Sequence, residues 1–164
     1  MRMRPVTATF GLLSLLAACS SSSLSEPKLI PDGDGLAPTT LFTGRYSGFV
    51  ISERLIVRDS SQWANVWATT FARQNPTLPL PAVDFSQETV IVAAMGSRPS
   101  GGYDISIESI VASGDVVDVF TKSTSPGVRC ATTQALTSPV VIMKIAAVER
   151  PVQFHDQAET RNCG

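Results

Sequence analysis

The sequence predicts a single α+β domain in which a mainly antiparallel β-sheet packs against one amphipathic helix. One segment carries helical spacing, several short runs alternate or stay apolar over strand length, and Gly- and Pro-rich stretches separate them. A chain of 164 residues that is 43% apolar and 16% charged has the size and composition of one globular domain with a core.

The helix is expected over Asp59 to Arg73. Asp59 is a good N-cap, and Gln62 three residues on completes a capping-box-like pair. Trp63, Val66, Trp67, Thr70 and Phe71 then fall on one face. Both tryptophans of the chain sit in that stripe. An aromatic ligand platform is one reading, but the spacing is that of a face packed on a sheet. Asn75 to Pro81, with three prolines, ends the helix and forms an extended connection; a proline-motif ligand is the alternative.

Strands are expected at Thr43 to Ile51 and Arg54 to Val57, around a turn at Ser52-Glu53. Val83-Asp84-Phe85 leads into Thr89 to Met95, which is apolar on both faces and reads as a central strand. Tyr103, Ile105 and Ile107 alternate with Asp104, Ser106 and Glu108, so the next strand has one solvated face. Ser113-Gly114-Asp115 is a hairpin turn, and Val116 to Thr124 returns from it. After Ser138-Pro139 comes an apolar run, Val140 to Val148, broken by Lys144. Pro151 and a polar tail close the sequence.

Between the central strand and the alternating one lies Gly96-Ser97-Arg98-Pro99-Ser100-Gly101-Gly102-Tyr103. Its glycines permit positive φ or close backbone approach, and its proline fixes φ. It is either a strand-joining turn or a recognition loop. In the second case Arg98, Pro99, Ser100, Gly101, Gly102 and Tyr103 are the candidate binding residues, with Arg98 and Tyr103 its only large groups. Tyr103 also begins the alternating face of Ile105 and Ile107, so a place in the core is its other reading. A second loop, Ser125 to Pro139, is a candidate companion and contributes Gln134.

The first nineteen residues carry a different signal. Arg2 and Arg4 precede a short apolar run, Phe10 to Ala18, and then Cys19. The run is too short to span a bilayer and has the layout of a secretory signal. Leu16-Ala17-Ala18-Cys19 resembles a bacterial lipobox; an ordinary signal peptide with a coincidental cysteine is the alternative. The resemblance implies cleavage before Cys19 and lipidation of that residue, with fatty acyl chains such as palmitate anchoring it stably. Cleavage removes two arginines and takes the net charge from −1 to −3. Ser20 after the cysteine implies sorting to the outer membrane, facing the periplasm. Ser20 to Thr40 lacks hydrophobic period and reads as a flexible tether. The expected organisation is therefore signal peptide 1–18, lipidated cysteine and tether 19–40, and α+β domain 41–164. Asp32-Gly33-Asp34-Gly35 lacks the later acidic positions and closing Glu of a calcium loop. In an oxidising compartment Cys130 and Cys163, the two remaining cysteines, are expected to pair, with two free thiols as the alternative.

Chemistry has little to work with. His155 is the only histidine, no G-x-S-x-G elbow or phosphate-binding glycine loop occurs, and scattered carboxylates offer no metal cluster. Neighbouring His155 and Asp156 side chains diverge, and Cys130 with His155 fails as a nucleophile pair if the cysteine is bonded. No catalytic residue, cofactor or metal site is expected, and an enzyme is not. The absence of a basic stripe argues against a nucleic-acid partner.

Val90 to Gly96, Arg98 to Ile105, Ser125-Pro126-Gly127, and Thr133 to Pro139 leading into Val140 to Ile145 together resemble the PrcB-like C-terminal domain family. That family is named for an accessory lipoprotein of a bacterial surface protease complex. The resemblance covers about residues 83–147 and departs from the family mildly at Ser100, where Thr is frequent. It implies a lipid-anchored envelope accessory protein that binds a protein partner, in some members stabilising or assembling a protease complex. It supplies no catalytic residues. A fainter likeness links Pro99 to Tyr103 with the glycine-rich loop of chagasin-type protease inhibitors, although a second inhibitor loop pair and an Arg-Pro-Trp element are missing. Inhibitor and structural envelope lipoprotein without a specific ligand are thus the alternative functions.

Overall fold

The computed structural model describes residues 34–164, so the expected secretory signal, Cys19 and most of the expected tether lie outside the described residues. In chain order the elements are β1 (Asp34–Gly35), β2 (Thr39–Gly44), β3 (Glu53–Val57), α1 (Ser60–Thr70), β4 (Glu88–Ala94), β5 (Asp104–Ser113), β6 (Val116–Pro126), β7 (Val140–Ala146) and β8 (Val152–Arg161). The protein is mostly β, with one short helix among the described residues.

The strands form two four-stranded sheets rather than the expected one. One has the order β2-β7-β4-β3 and the other β1-β5-β6-β8. The reason lies in β4 and β7, which are apolar on both faces and must be covered twice. Val90, Val92 and Ala94 of β4, with Val140 and Ile142 of β7, join a core containing Trp63, Val66, Trp67 and Phe71. The alternate residues Ile91, Ala93, Val141 and Ile145 join a second core containing Ile105, Ile107, Ile110, Val117 and Val119 of the other sheet. The sheet holding β4 and β7 is thus a middle layer between helix and second sheet. Val90, Ile91, Val92, Val117, Val119 and Ile142 are all at 0% exposure, and each such burial is worth about 1.5–3 kcal/mol.

The helix starts where Asp59 caps it: Asp59 Oδ1 accepts from the Gln62 amide at 2.8 Å. It ends at Thr70, short of Arg73, because Phe71 leaves helical geometry at φ −103° and ψ 9° and caps the last turn. Trp63, Val66, Trp67 and Thr70 are its buried residues. The indole N–H groups of Trp63 and Trp67 donate to Pro81 O at 2.9 Å and Leu78 O at 3.0 Å. These bonds strap the Pro-rich connection along the helix, and both rings are buried rather than displayed.

In β5 the side-chain alternation changes phase. The register with β6 shifts between Ile107 and Ser109, leaving Glu108 extra, so Ile105 and Ile107 point inward and the next inward residue is Ile110. Lys144, the one charge in the apolar run, lies near the end of β7 and pairs with Glu88 at 2.6 Å.

Two further expectations need correction. The strand expected at Thr43 to Ile51 is β2, Thr39–Gly44, and Arg45 to Ser52 is a loop folded back onto the β7 entry. Strand pairing begins ahead of residue 41, since Asp34 and Gly35 pair with Ala112 and Val111. The polar tail contains a ten-residue strand, β8, paired in parallel with β6 from Val117↔Val152 to Pro126↔Arg161. The sheets are therefore not wholly antiparallel. Strand β8 packs Val152 and Phe154 at its start on the second core, and beyond them it is exposed and largely polar, so backbone pairing defines the rest.

Three kinds of contact fasten β8. Cys130 and Cys163 form a disulfide with Cα atoms 5.0 Å apart. Lys122 pairs with Glu159 across the ladder. Asp156 faces the middle layer, accepting from Arg54 Nε at 2.8 Å and from the Thr121 hydroxyl. Burial pushes the Asp156 carboxyl up, but the Thr121 and Arg54 hydrogen bonds outweigh it and hold the pKa below its usual 3.8. Its neighbour His155 faces the other way, with Nε2 2.7 Å from Asp118 Oδ1 and its ring stacked on Phe120.

Two outcomes are expected. Replacing both Cys130 and Cys163 by Ser should cost roughly 3–4 kcal/mol by the chain-entropy argument, read as a lowered melting temperature that reductant no longer changes. A depressed carboxyl contributes stability present above its unfolded pKa and lost as pH falls through the folded one. Wild type should therefore lose stability as pH drops below about 3.8 more steeply than Asp156→Asn, compared by denaturant melts across that range.

Candidate functional site

The strand registers gather the loops at one end of the molecule. Gly44 and Ala94 both pair with Val140, Glu53 with Ala94, and Asp104 with Thr124. Loops 45–52, 95–103 and 127–139 therefore emerge side by side, and the Cys130–Cys163 bridge lies at the same end.

Backbone bonds weld these loops together. Arg98 and Thr137 exchange amide bonds, Arg98 N to Thr137 O at 2.7 Å and Thr137 N to Arg98 O at 3.0 Å. Ser97 N donates to Val50 O at 2.9 Å, and Gly101 N to Thr133 O at 2.9 Å. Thr137 Oγ1 donates to Ser100 O at 2.7 Å. On the third side Ser138 N donates to Arg45 O at 2.7 Å. Ser47 Oγ donates to Ser138 O at 2.8 Å, and Ser138 Oγ to Phe49 O at 2.6 Å. Ser47, Thr137 and Ser138 are buried, so this network replaces water with internal partners.

The glycines make this approach possible. Gly96 has φ +74°, and a Cβ there would sit 2.5 Å from the Ile51 carbonyl carbon. Gly102 has φ +87°, and its Cβ would meet Pro126 and Thr132 at 3.0 and 3.1 Å. Gly96 excludes a side chain on conformation and on space, while at Gly102 the positive φ disfavours one and Pro126 and Thr132 would have to give way by a few tenths of an ångström.

The structure sorts the sequence-derived binding residues. Pro99 and Gln134 are exposed. Ser100, Gly101 and Gly102 are half-buried between the two Gly/Pro loops. Tyr103 is half-buried against the second core, so much of its ring is structural. Arg98 folds back: its Nη2 donates to Met95 O at 2.7 Å and its guanidinium lies 6.0 Å from the Tyr103 ring centroid.

What sequence reading missed is loop 45–52. Tyr46 is 55% exposed, Val50 63%, Ile51 67% and, across from them, Leu136 67%. The Ser97 N→Val50 O bond puts Val50 and Ile51 beside the Arg98 loop, Leu136 adjoins Thr137, and Tyr46 bridges Ser138. The available signal was Gly44 and Gly48 breaking the supposed strand, with apolar Val50 and Ile51 next to a polar turn. Scattered exposed apolar residues are ordinary, but four on interlocked loops at one end make a surface suited to a protein partner.

Residues 89–146 match the PrcB C-terminal family. The resemblance drawn from the strand and loop motifs is thereby shown. The PrcB C-terminal match begins within β4 and ends with β7, taking in both Gly/Pro loops but neither the helix nor β8. No curated protein and no solved structure matches the chain.

Gly96→Ala should destabilise the domain by about 2 kcal/mol or more, since the positive φ alone costs roughly 1–2 kcal/mol. Thr137→Val should cost about 1 kcal/mol through its lost bond to Ser100 O. Ser100→Ala, whose hydroxyl bonds only the neighbouring Gly101 carbonyl, should stay within about 0.5 kcal/mol. Urea melts of the three variants check this order.

Proposed function

We propose that this chain is a protein-binding accessory module, held at a bacterial cell envelope by lipid on Cys19, whose three-loop end docks a protease or protease complex. The observation that carries the docking surface is the set Tyr46, Val50, Ile51 and Leu136, exposed on loops whose backbones are locked to one another. A surface already rigid before binding loses little conformational freedom on contact. The PrcB C-terminal match implies association with a protease partner in general. The lipobox-like Leu16 to Cys19 supports the envelope location.

The inhibitor reading fits the loop packing less well. An inhibitory wedge needs its small-residue stretch at a protruding tip. Here a Cβ on Gly101 would lie 2.4 Å from Thr133 Oγ1, and one on Gly102 would meet Pro126 and Thr132, so the pair is sandwiched between loops. Only Pro99 of that loop is exposed. The geometry suits a platform rather than a wedge.

A photo-crosslinking residue placed at Leu136 in intact cells tests the proposal. It should trap a discrete envelope protein, with the same residue at Glu149, on the far side of β7, trapping none. Ile51→Asp should abolish the adduct, and Cys19→Ala should lower its yield by releasing the module from the membrane. Equal trapping from both positions, or none from Leu136, would overturn the docking surface.

A further inference from the structure

Resting on that docking surface, we propose that Arg98 is its specificity-determining residue and binds the side-chain carboxylate of an Asp or Glu flanked by apolar residues in an extended segment of the partner. The argument starts from charge compensation. Three cations in the second sheet and its neighbours have carboxylates: Arg54 with Asp156, Lys122 with Glu159, and Lys144 with Glu88. Arg98 is half-buried and has no carboxylate within 4.0 Å among the described residues. A half-buried charge is stable to the extent that nearby dipoles or an opposite charge replace lost hydration.

Its internal partners are few. Of the five N–H donors of a guanidinium, one on Nη2 reaches Met95 O, and Nε is enclosed with no hydrogen-bond partner. Tyr103 supports the group at 6.0 Å, an electrostatic contact with its ring. The backbone at Arg98 is fixed by its two-way exchange with Thr137. The result is a cation whose position is set from three sides and whose donor capacity is largely unspent. A planar fork of that kind matches a carboxylate in two parallel hydrogen bonds.

The surroundings define the rest of the ligand. Val50 and Ile51 reach the site through Ser97 N→Val50 O, and Leu136 adjoins Thr137. Exposed apolar side chains on both sides call for apolar residues on both sides of the acid. Excluding water around the ion pair in this way strengthens it. The partner segment is therefore apolar–acidic–apolar, and extended so that apolar side chains on both sides of the acid can reach the exposed apolar groups flanking Arg98.

The probes are three acetylated and amidated nine-residue peptides of alternating Ser with Leu or Val, with Glu, Gln or Lys at the centre, and a fourth with Gln at the centre and a free C-terminal carboxylate. Binding is read by fluorescence anisotropy with the full chain in its disulfide form, solubilised in detergent. The Glu peptide should bind about tenfold or more tightly than the Gln and Lys peptides. Arg98→Gln should erase that preference, and Arg98→Lys should keep part of it. Because Arg98→Gln removes the Met95 bond, an independent reading is the Nε–H resonance of wild-type Arg98, which should shift with the Glu peptide and not with the Gln peptide. Equal binding of Glu and Gln peptides, tightest binding of the free-carboxylate peptide, an unmoved Arg98 resonance, or no binding of any peptide would each overturn the assignment. If peptides bind equally but Leu136→Asp abolishes binding, the docking surface stands and the role of Arg98 falls. If nothing binds and the Leu136 crosslinker traps nothing in cells, both fall.

Discussion

The double-sided burial of β4 is the constraint from which the rest of the architecture follows. A seven-residue strand whose middle has no exposure cannot sit at a surface, so both of its faces need a cover. The tryptophan face of the helix covers one, and the β5–β6 hairpin with its flanking strands covers the other. Neither cover would close alone. The helix is eleven residues long, too short to persist in water without its packing partners. The second sheet is polar on its outer side, as Asp118, Lys122 and His155 show, and gains its apolar inner face only against the middle layer.

The same constraint positions the loops. Because β2, β4 and β7 are neighbours in one sheet, their ends coincide, and the connections leaving them must share space. Gly96 and Gly102 allow those connections to touch backbone to backbone, and Thr137, Ser138 and Ser47 supply the polar partners that such crowding needs. A rigid end with apolar side chains turned outward is the by-product. What that end presents is a cation fixed in place and a set of exposed apolar groups.

The sequence made some of this plain and hid the rest for identifiable reasons. The helix was legible because Trp63, Val66, Trp67 and Thr70 repeat at helical spacing, and β4 because Val90 to Met95 admits no solvated face. The hairpin at Gly114 was legible from turn chemistry. The second sheet was not, because a run apolar on both faces says that two layers cover it without saying what they are. Strand β8 was hidden because only Val152 and Phe154 at its start alternate as apolar residues and the rest is polar; most of its ladder is a backbone property, reported only indirectly by Cys163. Of the candidate site, Arg98 and the glycines were visible in the sequence. Loop 45–52 was not, since Tyr46, Phe49, Val50 and Ile51 resemble a strand until Ser47 and Ser138 are seen to fold it back.

The Cys130–Cys163 bridge also has a mechanical meaning. Strand β8 runs parallel to β6, and the bridge joins the far end of β8 to the loop that follows β6. Tension applied to the chain beyond Cys163 therefore passes through a covalent bond into the β6–β7 connection, and does not unzip the β8 ladder from its end. Tension arriving at the opposite terminus meets β1, whose two residues are paired with β5 alone in the register. The domain is consequently stiff toward a load on one side and compliant toward a load on the other. The first response to a pull from the N-terminal side is loss of β1, which leaves the three-loop end and the middle layer intact.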